Sequence, residues 1–178
     1  MWPDRRYLDL VDIEIPLVQA PMAGSNLAPL AIAVSKAGGL GSLPCGMLTD
    51  DQARAEMNLI RQQTDRPYNV NFFCHTSPAL DERRERAWRE RLAPYYAELG
   101  LDPSATSSGP SRAPFDAAMC RLVIELRPRV VSFHYGLPEP EFVGQLKAAG
   151  CVIQGSATTV AEARWLEARG ADAIIAQG

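Results

Sequence analysis

The sequence predicts an α/β protein of the TIM-type (β/α)8 barrel class, truncated after about six β/α strands. Three observations carry that expectation. Short apolar runs alternate with longer helical patterns along nearly all of the 178 residues. The runs are too uniformly apolar for a sheet with one wet face, which points to parallel strands buried on both sides. The G-x-G-x-x-G spacing of an open, doubly wound nucleotide-binding sheet is missing after the first strand, where APMAGSNLAPL stands. GGLG at 38–41 runs into a strand and so cannot seat a phosphate on a helix N-terminus.

The expected strands are IPLVQA (15–20), GLGSL (39–43), YNVNFF (68–73), RVVSFHY (129–135), CVIQGS (151–156) and ADAIIAQ (171–177). Helical stretches fall at 27–37, 49–63, 78–99, 114–126, 138–150 and 158–170. Thr49 with Gln52 has the spacing of a capping box, and Thr158 or Thr159 is a candidate cap before VAEARWLEA, with Glu162 three residues after Thr159. Gly38, Gly150 and Gly170 stand where a helix stops and the chain turns left-handed. The Pro-, Ser- and Gly-rich stretch 100–114 reads as a surface loop inside an enlarged β-α connection, because the strand rhythm resumes after it. The whole of 1–178 is expected to be one barrel domain, incomplete at its C-terminus, with a long helical and loop insertion at about 75–128.

Composition narrows the partners. A net charge of -3 with 22% charged residues offers no basic face for nucleic acid or an anionic membrane. The densest charge run, DERRERAWRER at 81–91, mixes both signs at helical spacing and reads as a solvated helix face. Cys45, Cys74, Cys120 and Cys151 are widely spaced without a CxxC pair, which favours free thiols over a disulfide set or a zinc site. The N-terminal MWPDRRYLDL lacks a signal-peptide core, and no run approaches the roughly 18 apolar residues of a membrane span. A soluble, cytoplasmic protein is expected.

A barrel places its chemistry at the C-terminal ends of its strands. Gln19, Asn71, His134, Gln154 with Ser156, and Gln177 stand at or near such ends. An apolar core rejects these side chains unless they are paired. They are mostly neutral amides and hydroxyls, with no carboxylate pair, no metal-ligand cluster and no nucleophile-base set. Such groups suit the edge of a flat heterocycle such as a flavin. Ala20, Pro21, Met22, Ala23 and Gly24 would let backbone N–H groups approach a ring, although an ordinary apolar β-α turn has the same composition. His134, followed by Gly136 and Pro138, is a candidate for the barrel mouth, and His75 reads as a loop or core residue.

IPLVQAPMAG (15–24), AGGLGSL (37–43), NVNFF (69–73), VVSFHYGLP (130–138) and GADAIIAQG (170–178) together resemble nitronate monooxygenases, formerly 2-nitropropane dioxygenases. The resemblance implies an FMN-dependent flavoprotein oxidoreductase that converts alkyl nitronates and O2 to a carbonyl compound and nitrite. It implies cofactor contacts at Ala20, Pro21, Met22, Ala23, Asn71 and Gln177, with His134 in the substrate pocket. No metal is implied, the partners are a small nitronate or nitroalkane and O2, and a homodimer is left open. The family pattern continues past AQG into a Glu-Ala-Gly-Gly-His stretch whose histidine is the main catalytic candidate. That histidine is expected beyond Gly178, and the 178 residues do not contain it. Two other readings stay open: a flavin-dependent enoyl-thioester reductase of the same fold, and a non-catalytic fragment.

Overall fold

The computed structural model describes residues 2–77, 79–102 and 112–178. Among them the chain runs α1 (Arg6–Val11), α2 (Ala28–Lys36), β1 (Gly41–Pro44), α3 (Asp50–Gln63), β2 (Tyr68–Phe73) and α4 (Glu82–Glu98). It continues through α5 (Ala117–Leu126), β3 (Val130–His134), α6 (Pro140–Ala148), β4 (Val152–Ala157), α7 (Val160–Ala168) and β5 (Ala173–Ala176). The strands form one sheet in sequence order, every pair parallel, which is the β/α succession of a TIM-type barrel.

The first of the six expected strands, 15–20, is corrected to a single parallel bridge between Val18 and Leu40. Leu40 N donates to Leu17 O at 2.8 Å and Gln19 N to Leu40 O at 2.9 Å, and the ladder ends there. Pro16 and Pro21, which have no amide to donate, bracket the paired residues. Helix α1 is an addition to the expected elements: it is six residues long, has no side-chain cap, and ends on Asp12 in the left-handed region (φ 62°).

The sheet has two buried faces of different chemistry. Leu43, Val70, Phe72, Val131, Phe133 and Ile153 pack with α2, α3, α5 and α6 through Ala31, Met57, Ile60, Val123 and Leu146. On the opposite, inner face the chain alternates strictly. Leu40, Val130 and Val152 form an apolar layer closed by Leu8, Val11 and Ile13 around α1. One pleat further along the strands stand Ser42, Asn69, Ser132 and Gln154, all buried. Register sets Ser42 opposite Asn69, Asn71 opposite Ser132, and Ser132 opposite Gln154.

The expected helix ends are observed. Thr49 and Thr159 each close a capping box, with Gln52 and Glu162 respectively. Gly38, Gly150 and Gly170 take φ values of 90°, 90° and 94°. Helix α5, inside the stretch 75–128, packs between α3 and α6. Thr76–Pro110 forms a separate compact unit. Its helix α4 carries the 81–91 charge run and buries no residue, and Arg91 stands 5.8 Å over the Trp88 ring. Most of the 100–114 stretch lies outside the described residues. All four cysteines are free thiols. No helix among the described residues is long and apolar enough to cross a membrane.

Glycine is obligatory at position 41, where α2 crosses β1. A Cβ there would overlap the Ala31 carbonyl oxygen and come within 2.7 Å of Ser35 Oγ. Because the obstacle is backbone, Gly41→Ala is expected to lower stability by about 3 kcal/mol, read from urea unfolding. Thr159→Ala, which opens the α7 capping box, should cost about 1 kcal/mol in the same measurement.

Candidate active site at the strand ends

Gln19 is buried, and its amide makes a two-point clamp on the backbone of β1. Nε2 donates to Ser42 O at 3.0 Å, and Ser42 N donates to Oε1 at 3.1 Å. Asn26 Nδ2 donates to the same carbonyl at 3.2 Å while its Oδ1 accepts from Met22 N at 2.9 Å. These two amides tie the turn 20–24 to β1, with Gly24 taking φ 80° within it. Both are therefore positioning groups, and the sequence reading did not single out Asn26.

The inner face carries a continuous hydrogen-bonded layer. Asn69 Nδ2 donates to Ser42 Oγ (3.1 Å) and Ser132 Oγ (2.9 Å). Asn71 Nδ2 donates to Ser132 O (3.2 Å) and Ser132 Oγ (2.9 Å). With its nitrogen held by Ser132, Asn71 presents its Oδ1 as the acceptor it can turn toward a ligand. Gln154 Nε2 donates to Tyr7 Oη at 2.7 Å. Burial pushes the Tyr7 phenol up, and the Gln154 bond partly offsets that. Asn69 Oδ1, Gln154 Oε1 and Ser156 Oγ are buried acceptors without a partner.

Two cavities meet above this layer. One, of about 560 Å³, runs along the inner face past Tyr7, Gln19, Asn69, Ser132 and Gln154. The other, of about 890 Å³, opens at the strand ends between Ala23, Gly46, Phe73, Tyr135, Ser156, Glu162 and Trp165. Pro21, Asn71, His134 and Gln177 border both. Ala20 borders only the inner cavity and Ala23 only the outer one. Met22 borders neither, and its side chain is exposed. Gln177 N donates to Ala157 O at 2.9 Å, which fixes its backbone against the end of β4.

Gly178, past which the resemblance puts the main catalytic histidine, is exposed and borders neither cavity. A Cβ added there would meet nothing within 4 Å. His134 borders both cavities. His75 stays near the mouth, its ring 6.3 Å from that of Phe73.

The electrostatics are close to neutral. Burial lowers the His134 pKa from its ordinary 6.5, so its imidazole is uncharged at neutral pH. The outer cavity's carboxylate, Glu162, accepts from Thr158 N (2.6 Å), Thr158 Oγ (2.9 Å) and Thr159 N (3.2 Å). Those bonds hold its pKa below the ordinary value. Burial drives the Cys45 thiol up and the Cys74 thiol to about 12, which leaves both unreactive at neutral pH. Among the described residues no cluster of three His, Cys, Asp or Glu side chains could hold a metal ion.

These residues fit a flat heterocycle. The cavity is within the usual size of a cofactor site, small residues border it, and neutral amides converge on it beside the unpartnered Ser156 hydroxyl.

Ser132→Ala removes the acceptor shared by two buried amides and is expected to cost about 1–3 kcal/mol of stability by denaturant unfolding. An NMR titration should place the His134 midpoint below 6.5. The unfolded chain then takes up that proton first. The His134 contribution to stability is therefore complete above pH 6.5 and is lost as pH falls from 6.5 toward the folded value.

Residues 5–178 match the family model described as nitronate monooxygenase. The nitronate monooxygenase of Paraburkholderia phytofirmans is 43% identical over 175 residues, covering 98% of this chain and 48% of the relative. That of Pseudomonas aeruginosa is 41% identical, covering 97% of this chain and 50% of the relative. Among solved structures, nitroalkane oxidase from Streptomyces ansochromogenes superposes with a TM-score of 0.81 at 38% identity, over 97% of this chain and 48% of that one. FabK from Thermotoga maritima gives 0.70 at 29% identity, over 97% and 43%. The chain spans about half the length of the curated relatives it matches. With the match running unbroken from residue 5 to residue 178 and the family's sequence runs gathered around the two cavities, the chain belongs to the nitronate monooxygenase family.

Proposed function

We propose that this chain carries the strand-end half of an FMN site and of the substrate pocket beside it. In its full-length form the protein would oxidise alkyl nitronates with O2 to a carbonyl compound and nitrite. The observation that supports this reading most directly is the junction of the two cavities at Pro21, Asn71, His134 and Gln177, in a chain of this family.

When bound, FMN would supply the electron acceptor for the nitronate. The chain's own residues supply position and polarity. Asn71 Oδ1 would accept from a ring N–H, because the amide nitrogen is committed to Ser132. Gln177, anchored through its backbone to β4, offers either end of its amide. The backbone of Ala20, Pro21, Met22 and Ala23, held in place by Gln19 and Asn26, would lie against the ring. His134 faces the substrate side as a neutral imidazole, so it can orient a nitronate by hydrogen bonding without forming an ion pair. The dense packing behind these groups, Phe72, Phe115 and Phe133 in edge and tilted contacts, keeps the strand ends rigid.

The decisive experiment measures O2 uptake and nitrite release with an alkyl nitronate in the presence of FMN. Uptake with stoichiometric nitrite supports the reading. NAD(P)H consumption with an enoyl-thioester and no nitrite from the nitronate would replace it with the reductase reading. Asn71→Ala and Gln177→Ala should each weaken FMN binding about three- to tenfold in a fluorescence titration, the effect of one lost hydrogen bond.

A further inference from the structure

We infer that Tyr135 is a specificity-determining residue, forming with Trp165 an aromatic rim that takes the apolar tail of the substrate. The inference rests on reading the outer cavity as the substrate pocket.

Tyr135 follows β3 directly, with φ at 66°. A side chain with a Cβ is strained in that left-handed region, and glycine is the residue that adopts it freely, as Gly136 does next door at φ 100°. Strain of this kind persists where the surroundings or the function require it. Burial is not the reason here, because Tyr135 is 71% exposed. Its ring instead lies over the cavity mouth, 5.8 Å from Phe73, 6.2 Å from His75 with the planes at 89°, and 6.3 Å from His134.

Trp165 supplies the second large ring on the same cavity and is 40% exposed. A Cβ on Gly136 would lie 3.8 Å from the Trp165 indole, so the strained turn abuts that ring. The Arg169 guanidinium sits 4.1 Å from the ring centroid and holds the indole in place. The cavity is thus polar where Asn71, His134 and Gln177 converge and aromatic at its rim. That shape matches a small polar head with an alkyl or aryl tail, in preference to the shortest nitroalkanes.

The test titrates the full-length protein with unbranched 1-nitroalkanes from nitroethane to nitrohexane by calorimetry, with no turnover required. Kd is expected to fall about threefold per added methylene, somewhat less than for complete burial of a CH2. In Tyr135→Gly that dependence should shrink to less than about 1.5-fold per methylene, while Tyr135→Phe keeps it. Tyr135→Gly should melt no lower than the parent, because glycine takes φ 66° without strain. If it melts lower, Tyr135→Asn, which also tolerates the left-handed region, replaces it in the titration. An unchanged chain-length dependence in the Gly or Asn variant overturns the inference, as does its absence in the parent. Loss of the dependence in these variants without any oxidation of nitronates supports the rim and overturns the reaction. Oxidation of nitronates with an unchanged dependence does the reverse.

Discussion

The candidate site depends on the hydrogen bonds that join Ser42, Asn69, Ser132 and Asn71 across β1, β2 and β3. A buried amide without partners costs about 1–3 kcal/mol, and this layer holds two of them between hydroxyls. Strand register is thereby specified twice. The helix-facing residues Val70, Phe72, Val131 and Phe133 fix it by packing, and the inner residues fix it by bonding. A slip of one residue would drive Asn69, Asn71 and Ser132 into the apolar contact with α3 and α5. The polar layer is a site support and a folding constraint at once.

From that layer the geometry propagates outward in steps. Ser42 O accepts from both Gln19 and Asn26, which places the turn 20–24 over the end of β1. Ser132 orients Asn71, whose free side then faces the meeting point of the two cavities. Below the layer, Leu40, Val130 and Val152 pack on α1 and separate the polar residues from the opposite end of the sheet. At the mouth the α7 N-terminus is closed by its own Glu162, while at the opposite end of the sheet Asp172 accepts from Ile153 N and pairs with Lys147. The loops around the mouth are therefore braced by local bonds, and the site sits on strand ends whose positions are set by the core.

Most of this fold was legible in the sequence because period and punctuation agree. Five strand positions, six helices, two capping boxes and three left-handed glycines are where the residues put them. The first strand misled because IPLVQA is apolar enough to pair, while its bracketing prolines limit pairing to one bridge. At the site, Asn71, His134 and Gln177 stand out in the sequence because each is polar at the end of an apolar run, and all three border the cavities. Ser42, Asn69 and Ser132 escaped notice because they lie one pleat back from the ends, where a serine or asparagine reads as an exception in an apolar run. Only the inward alternation shared by three strands makes them a layer, and that depends on register, which no single run contains. Gln19 looks like a ligand contact in the sequence, yet both ends of its amide bond the β1 backbone. Tyr135 was hidden for another reason: nothing local announces that a tyrosine adopts φ 66°.

The neutrality of the mouth bears on which anion it can accept. Glu162 is ionised but is surrounded by two backbone N–H groups, a hydroxyl and the positive end of α7. His134 is uncharged, and no Lys or Arg borders the outer cavity among the described residues. A compact, strongly hydrated anion such as a phosphate would lose its water there without gaining an ion pair from these residues, a cost of several kcal/mol. A nitronate spreads its charge over two oxygens and a carbon and holds water less tightly. Neutral donors such as Gln177 and Ser156 can serve it at a smaller desolvation cost. Under the proposed reading, these residues would meet a delocalised anion with an apolar tail at a smaller desolvation cost than a compact one.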